Sequence, residues 1–527
     1  MNRSTTPRTV AIALAVIFSA GCKTEFNPED DADADTTADP SGEEGVAQEC
    51  GNGDAEGTEE CDDGANGVAD DGCTDGCTYS CHSDAECDDG LGCTDDVCVA
   101  STHTCDHDLL GIGVECRPAG HPVCNPAEYC DGASQDCPGD GFAIEEEPCE
   151  DGDPCTTVSE CDGAGLCIPV PPAPTAIAAG GSHACVLTPA GGVKCWGSNL
   201  VGQLGMGDYD EITTAIQVVE MTEGVTQISA DYEHTCALEG GGSIRCWGDD
   251  DHGQLGDGTV GGDGYVPAAV AGLPGPAIQV SAGGYHTCAV LGTSEVSCWG
   301  DNGYGQLGSS LATPADGPVL VPGLTGVTQV SAGGYHTCAR TGTGDVLCWG
   351  DNSSGQMGVP AITSSSTPLP VEGLPSGQVL EVATGDWHTC ALLSGHDVMC
   401  WGDASYGQLG NGDEDASATP VGVIGLADGA SRIFAGPLHT CVIGLGGQSW
   451  CWGTNSCWVL ADDVISIAYA PIQVEELAGT VSRIAPGGDM TCAIEDGWAE
   501  CWGCSTYHQL GSGTDYQGPV PVRVCGL

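Results

Sequence analysis

Short runs of Val, Ile, Ala and Thr recur along the last two thirds of the chain, and Gly, Asn, Asp or Pro separates each run from the next. One unit reads Gln279-Val-Ser-Ala-Gly-Gly-Tyr-His286-Thr-Cys288-Ala-Val-Leu, then Ser294-Glu-Val-Ser-Cys298-Trp-Gly, and later Gly317-Pro-Val-Leu-Val. Runs of this kind between turn-forming residues predict β-strands. Each unit therefore predicts four short strands joined by turns.

The unit repeats seven times, and a Cys followed about ten residues later by Cys-Trp-Gly marks every copy. The tryptophans of the copies are Trp196, Trp247, Trp299, Trp349, Trp401, Trp452 and Trp502. Four antiparallel strands per period are typical of a propeller blade, and a ring of blades leaves no open sheet edge. We therefore predict an all-β fold, a seven-bladed β-propeller over residues 174–527 preceded by a small disulfide-rich, loop-rich module.

The motif Gly-Gly-x-His-Thr, followed by Trp-Gly-Asp-Asn-x-x-Gly-Gln-Leu-Gly, resembles the repeat of the regulator of chromosome condensation family. The resemblance covers residues 174–527 and implies the seven-bladed β-propeller of that family. Two copies depart from the motif. The sixth has Trp452-Gly-Thr-Asn-Ser-Cys-Trp-Val-Leu where Gly-Gln-Leu-Gly should follow, and the seventh has Met490 in place of the histidine.

The repeated cysteines fit disulfides between neighbouring strands of a hairpin, where opposed Cα atoms lie about 4.5–5.5 Å apart. Pairing between blades is the alternative. The expected pairs are Cys185–Cys195, Cys236–Cys246, Cys288–Cys298, Cys338–Cys348, Cys390–Cys400, Cys441–Cys451 and Cys492–Cys501. Cys457 and Cys504 lie in equivalent loops of adjacent blades and could form a further pair.

Six copies carry a histidine two residues before the first cysteine, a spacing that places both side chains on one face of a strand. These residues are His183, His234, His286, His336, His388 and His439. A zinc site would be a single constellation, whereas the histidines recur with the period of the fold. We therefore interpret them as hydrogen-bonding scaffold residues and predict no metal site among them.

Aromatic residues gather at two variable positions of blades three to five, before the repeated histidine and two residues before the repeated glutamine. They are Tyr285, Tyr335, Trp387, Tyr304 and Tyr406. Because Tyr and Trp are favoured anchors of protein interfaces, these side chains could form a recognition patch. The alternative is that they only pack against their neighbours in the propeller.

Residues 1–21 are typical of a lipoprotein signal peptide. Arg3 and Arg8 precede an apolar run at 10–18 that is too short to span a membrane, and Ser19-Ala-Gly-Cys22 resembles a bacterial lipobox. That resemblance implies a diacylated Cys22, and ordinary secretion with an unmodified Cys22 is the alternative. Residues 22–49 are acidic and poor in large apolar side chains, so we expect a disordered tether.

The segment between Cys50 and Cys167 has 17 cysteines and few large apolar residues, a composition that needs covalent staples. Residues 50–81 resemble the disulfide repeat of myxobacterial surface proteins. Residues 82–173 are a second cysteine-rich region, which contains a stretch similar to part of a disintegrin-like domain. The module has an odd number of cysteines, and we expect one of them to pair with Cys525.

Carboxylates in this module raise the question of calcium. Asp88 and Asp153 lie in Asp- and Gly-rich turns and could contribute to Ca²⁺ sites, or they are solvated turn carboxylates. No other cofactor is expected.

The chain has 10 basic and 76 acidic residues and a net charge of −66. Nucleic-acid binding needs a basic footprint. We therefore expect neither nucleic acid nor the small GTPase partners of the family that the repeat resembles. No nucleophile elbow, HExxH, P-loop or paired-carboxylate signature occurs in the sequence, so we predict that the protein is not an enzyme.

The predicted function is that of a non-enzymatic lipoprotein, exported to the outer membrane or cell surface and attached to the membrane through its lipid anchor only. It would present a disulfide-stapled propeller for binding or adhesion to a protein or glycan of unknown identity. The alternative is a secreted inhibitor that blocks an enzyme with the rim of the propeller. Acylation of Cys22 would discriminate between the two.

Overall fold

The structure is a computed structural model. It describes residues 94–99, 104–110, 114–119, 123–130, 133–135, 137, 142–143, 146–153, 155–162, 164, 166–311 and 314–527. The predictions made for residues 1–21, 22–49 and 50–81, including Cys22, and for Asp88 lie outside the described residues.

Two compact units divide the chain, Met1–Leu110 and Gly111–Leu527. In the first unit, β1 (Thr94–Val99) pairs with β2 (Thr104–Leu109) in an antiparallel hairpin. The hairpin places Cys98 directly opposite Cys105, and both are disulfide-bonded.

The second unit begins with short strands that precede the blades. They are β3 (Glu115–Arg117), β4 (Glu128–Tyr129), β5 (Pro148–Cys149), β6 (Ser159–Cys161) and β7 (Cys167–Pro169). The disulfides Cys116–Cys137, Cys124–Cys161 and Cys149–Cys167 join this segment internally. Covalent links therefore hold together a region with little apolar core.

Seven four-stranded antiparallel sheets follow, each formed by four consecutive strands. Blades one to four are β8 (Ala176–Ala179), β9 (His183–Leu187), β10 (Val193–Gly197) and β11 (Ile212–Gln217); β12 (Val225–Asp231), β13 (His234–Glu239), β14 (Ile244–Gly248) and β15 (Gly264–Ala269); β16 (Ala277–Ala282), β17 (His286–Leu291), β18 (Val296–Gly300) and β19 (Ala315–Leu320); β20 (Val327–Ala332), β21 (His336–Thr341), β22 (Val346–Asp351) and β23 (Ser364–Pro370).

Blades five to seven are β24 (Val379–Thr384), β25 (His388–Leu393), β26 (Val398–Gly402) and β27 (Ser417–Gly422); β28 (Ala430–Ala435), β29 (His439–Gly444), β30 (Ser449–Thr454) and β31 (Ile467–Gln473); β32 (Val481–Pro486), β33 (Met490–Glu495), β34 (Trp498–Gly503) and β35 (Gly518–Arg523). Helical structure in the described residues is limited to a 3₁₀ turn at Ser456–Trp458.

The last blade contacts the first through β32, β33 and β8, which closes the ring. The predicted all-β, seven-bladed propeller is confirmed. The first strand of each blade lines the central channel. Every blade is complete within its own stretch of chain, so the seam between blades seven and one joins the two ends of the repeat array.

The apolar core lies between adjacent blades. The seven repeat tryptophans are fully buried, and Trp349 of blade four packs in one cluster with Val290 and Leu307 of blade three. Its indole Nε1 donates a hydrogen bond of 2.8 Å to the backbone oxygen of Gln306 in blade three. Truncating such a side chain to alanine costs about 3–5 kcal/mol. The Cys-Trp-Gly signature therefore holds neighbouring blades together.

The glycine of the signature is required by the backbone. Gly300 has φ +103°, and a Cβ there would lie 2.6 Å from the backbone oxygen of Tyr285. A register shift between Cys298 and Gly300 moves the strand past this point. Only glycine combines that dihedral with that close approach.

Side chains within the Asp-Asn-x-x-Gly-Gln-Leu-Gly loop hold its backbone in place. Blade six forms the same loop although its sequence departs from this motif. In blade three, Asn302 Oδ1 accepts from the Leu307 N–H at 3.0 Å. In blade six, Asn455 Oδ1 accepts from the Leu460 N–H at 2.8 Å. Trp458 and Ala461 stand at the glycine positions with φ +56° and +60°. Each such residue costs about 1–2 kcal/mol relative to glycine.

Candidate binding face

The repeat histidines link adjacent blades. In blade three, His286 Nε2 lies 2.8 Å from Thr337 Oγ1 of blade four, and that hydroxyl donates to the backbone oxygen of Gln306 at 2.9 Å. Because the hydroxyl proton goes to the carbonyl, the hydroxyl oxygen accepts from His286 Nε2–H. We call this arrangement the histidine clamp. The other clamps are His183–Thr235, His234–Thr287, His336–Thr389, His388–Thr440 and His439–Thr491.

Burial lowers the pKa of all six clamp imidazoles, to about 3 or about 4. They are therefore neutral at physiological pH. The first glycine of the Gly-Gly doublet lies against the ring, since a Cβ at Gly283 would lie 2.9 Å from His286 Cε1. The histidines are closed off by their own blade and bonded to the next one, which leaves them no access to a ligand.

The clamp is absent where blade seven meets blade one. Met490 stands at the histidine position and Ala184 at the threonine position, and both are fully buried in one apolar cluster. Loss of both polar partners together leaves no buried imidazole or hydroxyl unsatisfied. Trp196 Nε1 still donates to the backbone oxygen of Gln509 at 2.9 Å, so this seam keeps the tryptophan contact.

Side-chain amides add a second link at the three seams that join consecutive blades from two to five. Gln279 Nε2 donates to the Val330 oxygen at 2.9 Å, and the Val330 N–H donates to Gln279 Oε1 at 2.8 Å. Gln227 and Gln329 bond the following blade in the same way. In blade five, Glu381 accepts from the Ile433 N–H and pairs with Arg432.

The remaining seams lack this link. Blades six, seven and one carry Arg432, Arg483 and Ala176 at the glutamine position. Arg483 Nη1 donates to the backbone oxygen of its own neighbour, Ser482, at 2.8 Å. Two disulfides lie on this side of the ring, Cys457–Cys504 with Cα atoms 4.9 Å apart and Cys155–Cys525 with Cα atoms 4.3 Å apart.

The Cys155–Cys525 disulfide links the segment before the blades to the segment after β35. The Cys525 oxygen accepts from the Ala215 N–H of blade one at 2.8 Å. Thr157 Oγ1 donates to the Leu527 oxygen at 2.9 Å, and Lys194 Nζ donates to the Gly526 oxygen at 2.6 Å. These contacts fasten the end of the seventh blade onto the first.

Within the blades, the expected cysteine pairs are directly opposed in the second and third strands. The structure joins all seven as disulfides, with Cα–Cα distances of 4.0–4.1 Å. All are fully buried. These cysteines form the frame of each blade, not a site.

One face of the propeller carries a row of aromatic rings in contact with one another. The ring centroids of Tyr232 and Tyr285 lie 5.3 Å apart, those of Tyr285 and Tyr335 5.6 Å, and those of Tyr335 and Trp387 5.3 Å. We call these four residues the aromatic row. They occupy loops after the first strands of blades two to five, so consecutive blades contribute consecutive rings.

Four of the five aromatic residues selected from the sequence lie together. Tyr285, Tyr335 and Trp387 belong to the row, and Tyr304 lies against Tyr335 with ring centroids 5.4 Å apart. Tyr406 is exposed and makes no ring contact among the described residues. His252, which the sequence analysis did not select, packs edge-on against Tyr285 at 5.0 Å.

Tyr232 begins the row and crosses the mouth of the central channel. It stands where the other blades have the second glycine or its substitute, and its φ is +35°. Its hydroxyl donates to Asp386 Oδ2 at 2.6 Å, a bond between blades two and five. Asp231 and Asp386 line the channel below, which has a volume of about 170 Å³.

Both channel carboxyls have raised pKa values. Burial, and then the neighbouring Asp386, raise the pKa of Asp231 well above its usual range. Burial raises the pKa of Asp386 to about 6, and the hydrogen bond from Tyr232 acts in the opposite direction. Sequence reasoning missed this group. The signal was available, because Asp231-Tyr232 and Asp386 interrupt a doublet that is Gly-Gly in other blades.

A cavity of about 530 Å³ opens beside the aromatic row, toward blades six, seven, one and two. Tyr232, Tyr285 and Asp386 line it from the side of the row. Its other walls include Ser182, Glu233, Asp249, Leu438, Asp489 and Tyr507. No Lys, Arg or His is among the described residues that line it.

The described residues give little support to a metal centre. The one group of three potential ligands whose ligand atoms converge within them is Cys124, Cys149 and Cys161, and all three are in disulfides. Asp153 Oδ1 accepts from the Cys155 N–H at 2.9 Å, as a turn carboxylate does. In the described part of the chain, no helix has the length and apolarity needed to cross a bilayer.

A closed ring of seven four-stranded blades joined by a repeated inter-blade clamp defines a β-propeller protein. Residues 164–429 match the family model of the RCC1-like domain. The chain belongs to the RCC1-like domain family.

Similar proteins include the Arabidopsis thaliana ultraviolet-B receptor UVR8, which is 30% identical over 66% of this chain and 69% of its own length. The human E3 ubiquitin-protein ligase HERC2 is 30% identical over 65% of this chain, which spans 6% of that ligase. Human WBSCR16 has a similar structure, with a TM-score of 0.59 and 22% identity over 64% of this chain and 95% of its own. Yeast RCC1 (Prp20), in its structure bound to Kap60, has a TM-score of 0.53 and 21% identity over 59% of this chain and 78% of its own.

Proposed function

We propose that the protein is an exported, lipid-anchored binding protein that contacts a protein partner through the face that carries the aromatic row. One observation carries this proposal. The residues that depart from the repeat, among them Tyr232, Asp386 and Trp387, converge on that face, whereas the regular residues hold the blades together. Surface that is free to vary on a rigid frame is where propellers place their binding residues.

The chemistry of the face suits recognition. Stacked Tyr and Trp side chains offer rigid contact area at a small cost in conformational entropy, and such residues dominate the binding energy of interfaces. The clamp histidines are buried and bonded between blades, so they cannot exchange protons with a bound molecule. A non-catalytic role fits a protein in which the aromatic row is available to a partner and the histidines are buried in the frame.

Export is supported by the disulfides. Described disulfides occur in the blades, between blades six and seven, and in the preceding segment. Disulfides persist in oxidising compartments. Together with the signal and lipobox residues that end at Cys22, they support attachment to the outer membrane or cell surface.

A protein partner is favoured over a glycan. Yeast RCC1 (Prp20), which has a similar fold, is bound to Kap60 in its solved structure, so a protein partner has a precedent among proteins of this fold. The ligase activity of HERC2 is not carried over, because this chain spans only 6% of that protein. A secreted inhibitor has no separate observation in its favour.

Acylation of Cys22 tests the anchor. The full chain and its Cys22→Ser variant are produced in a diderm bacterium fed with an alkyne fatty acid. We expect label and membrane fractionation for the wild-type chain and loss of both for the variant. An unlabelled, freely secreted wild-type chain would contradict the anchor and favour the secreted alternative.

Site-specific photocrosslinking tests the face. A benzophenone amino acid is placed at Tyr304, beside the aromatic row, or at Tyr209, a control tyrosine with nearly the same exposure (47% and 49%). Tyr209 packs edge-on against Tyr265, and among the described residues neither ring contacts the row. We expect a discrete crosslinked protein from the Tyr304 position only. A crosslinked glycan, or equal products from both positions, would contradict the proposal.

A further inference from the structure

We propose that the cavity beside the aromatic row is a receptor for a basic side chain, the guanidinium of Arg or the ammonium of Lys, from the protein partner. The inference rests on the proposed function only in placing that partner on this face. It adds the chemistry that the partner must present. Three features carry it: the floor of the cavity, its walls, and the absence of any cation among the residues that line it.

The floor is the carboxylate of Asp386, whose residue is 6% exposed. Oδ2 accepts the hydrogen bond from the Tyr232 hydroxyl at 2.6 Å. Oδ1 accepts no hydrogen bond among the described residues. Gly334 leaves room for this oxygen, since a Cβ there would lie 2.9 Å from it. An acceptor without a donor, on a residue that lines an open cavity, is suited to an N–H from outside.

The walls combine aromatic side chains with carboxylates. Tyr232 and Tyr285 stack on each other at the side of the row, and Tyr507 lines the cavity from blade seven. Glu233 and Asp489 stand on the rim from blades two and seven. Ring faces attract cations through their quadrupole, and the attraction grows when water is excluded. An alkyl chain with a charged tip matches such walls better than a hydrated ion does.

The described residues that line the cavity give its carboxylates no positive neighbour. Desolvation, and then Asp249, Asp263 and Asp251, raise the pKa of Glu233. Like-charged carboxylates at a partly dehydrated surface repel one another, and a cation placed between them relieves that repulsion. The whole chain carries a charge of −66, which favours the approach of a basic partner.

A basic side chain is a better occupant than a metal ion. Calcium takes six to eight oxygen ligands around one point. The cavity carboxylates do not meet that requirement, because no group of three of them converges among the described residues. The volume of about 530 Å³ also exceeds what a single ion needs.

The test measures binding of a fluorescein-labelled Gly/Ser peptide that contains a single arginine to the full chain. The neutral control peptide has citrulline in place of arginine, which keeps the shape and removes the charge. Titrations at moderate salt screen the general attraction of an acidic protein. We expect the arginine peptide to bind at least about tenfold more tightly than the citrulline peptide.

Two charge-matched variants locate the site. Asp386→Asn keeps an oxygen for the Tyr232 hydroxyl and removes the charge from the floor. Asp428→Asn removes one charge from an exposed turn between blades five and six. We expect Asp386→Asn to weaken the arginine peptide about tenfold and Asp428→Asn to leave it unchanged. Equal effects of both variants, or no effect of Asp386→Asn, would overturn the proposal.

The Glu233→Gln variant tests the proposal if Asp386→Asn folds poorly. Glu233 is exposed on the rim, so its loss should not disturb the fold. We expect about threefold weaker binding of the arginine peptide and no change in the melting temperature. Unchanged binding would overturn the proposal. The result is separate from the crosslinking at Tyr304, since the cavity could bind arginine even if the aromatic row meets no partner.

Discussion

The seams that join consecutive blades from two to five differ from the seams that join blades six, seven, one and two and so close the ring. Histidine clamps link all neighbouring blades except seven and one, and the first group is also linked by bidentate glutamines such as Gln279. The second group lacks the glutamines and has Met490 opposite Ala184 where the ring closes. The disulfides Cys457–Cys504 and Cys155–Cys525 stand on this weaker side.

The difference shows two ways of stabilising one fold. Where consecutive repeats follow the motif, side chains hydrogen-bond the next blade at every seam. Where the repeat array begins and ends, the glutamines are missing, the seam of blades seven and one also lacks the clamp, and covalent links constrain the unfolded chain. The proposed binding face follows the same division, with the aromatic row on blades two to five and the cavity open toward blades six, seven, one and two.

Acidification should produce the largest change, and it should act on the clamped seams. The folded-state pKa of each clamp histidine is about 3 or about 4, below its unfolded value, so protonation favours unfolding. The histidines contribute fully to the free energy of unfolding above about pH 6.5, and this contribution is lost as the pH falls toward about 4. At pH 5 the loss is about 2 kcal/mol per histidine. Asp250 and Asp386, whose pKa values are raised to about 6, oppose the loss. Denaturant midpoints between pH 7 and pH 4.5 measure the net slope.

His336→Gln is the control for that slope. It removes one titrating imidazole, so the pH dependence below pH 6 should fall by about one proton, or about 1.4 kcal/mol per pH unit. Met490→Leu, at the seam without a clamp, should leave the slope unchanged. The same slope in His336→Gln and the wild-type chain would show that the clamps do not titrate on unfolding.

Removing the ring-closing disulfide should have the next largest effect. The Cys155→Ser/Cys525→Ser variant releases a link between residues 370 apart in sequence, against 47 for Cys457→Ser/Cys504→Ser. The chain-entropy estimate makes the first change about 2 kcal/mol more costly than the second. Hydrogen exchange should accelerate first in β8–β11 and β32–β35. Uniform acceleration over all blades would contradict the division between the two groups of seams.

Loss of one inter-blade glutamine should cost less. Gln329→Ala leaves the buried Val382 N–H and oxygen without partners, at a cost of about 1–3 kcal/mol. Arg483→Ala is the matched change at the same repeat position of blade seven, where the side chain bonds only its own blade. It should cost less than about 0.5 kcal/mol. Equal losses of denaturant stability would remove the distinction.

The smallest expected effect is the coupling energy between two residues that install a clamp at the seam of blades seven and one. Met490→His alone buries an imidazole without a partner and should destabilise by about 1–3 kcal/mol. Ala184→Thr added to it supplies the missing hydroxyl. A double-mutant cycle should show a favourable coupling of about 1 kcal/mol between the two changes. A coupling near zero would mean that this seam differs from the others in more than the missing pair.

The regular part of this structure could be predicted from the sequence because each repeat is a local unit. Strand order, blade number and the opposition of Cys288 to Cys298 follow from spacing alone. The row of Tyr285, Tyr335 and Trp387 was also accessible, since equivalent positions of consecutive blades are neighbours in space.

The irregular part could not be predicted in the same way. The bond from Tyr232 to Asp386 joins residues 154 apart across the channel, and repeat spacing carries no information about which rings or carboxyls turn inward. Met490 was visible as a departure, but its meaning depends on Ala184, which it meets only when the ring closes. Departures from a repeat are best interpreted in pairs, after the geometry is known.

Partner capture by the full chain tests the central claim most directly, namely that the aromatic face is the binding site and the regular positions are its frame. The Tyr335→Ala/Trp387→Ala variant removes two rings from the row, and Tyr209→Ala/Tyr265→Ala removes an edge-on pair of rings outside it. With the partner identified by crosslinking at Tyr304, we predict at least about tenfold weaker binding for the first variant and wild-type binding for the second. Equal binding by both variants would contradict the account.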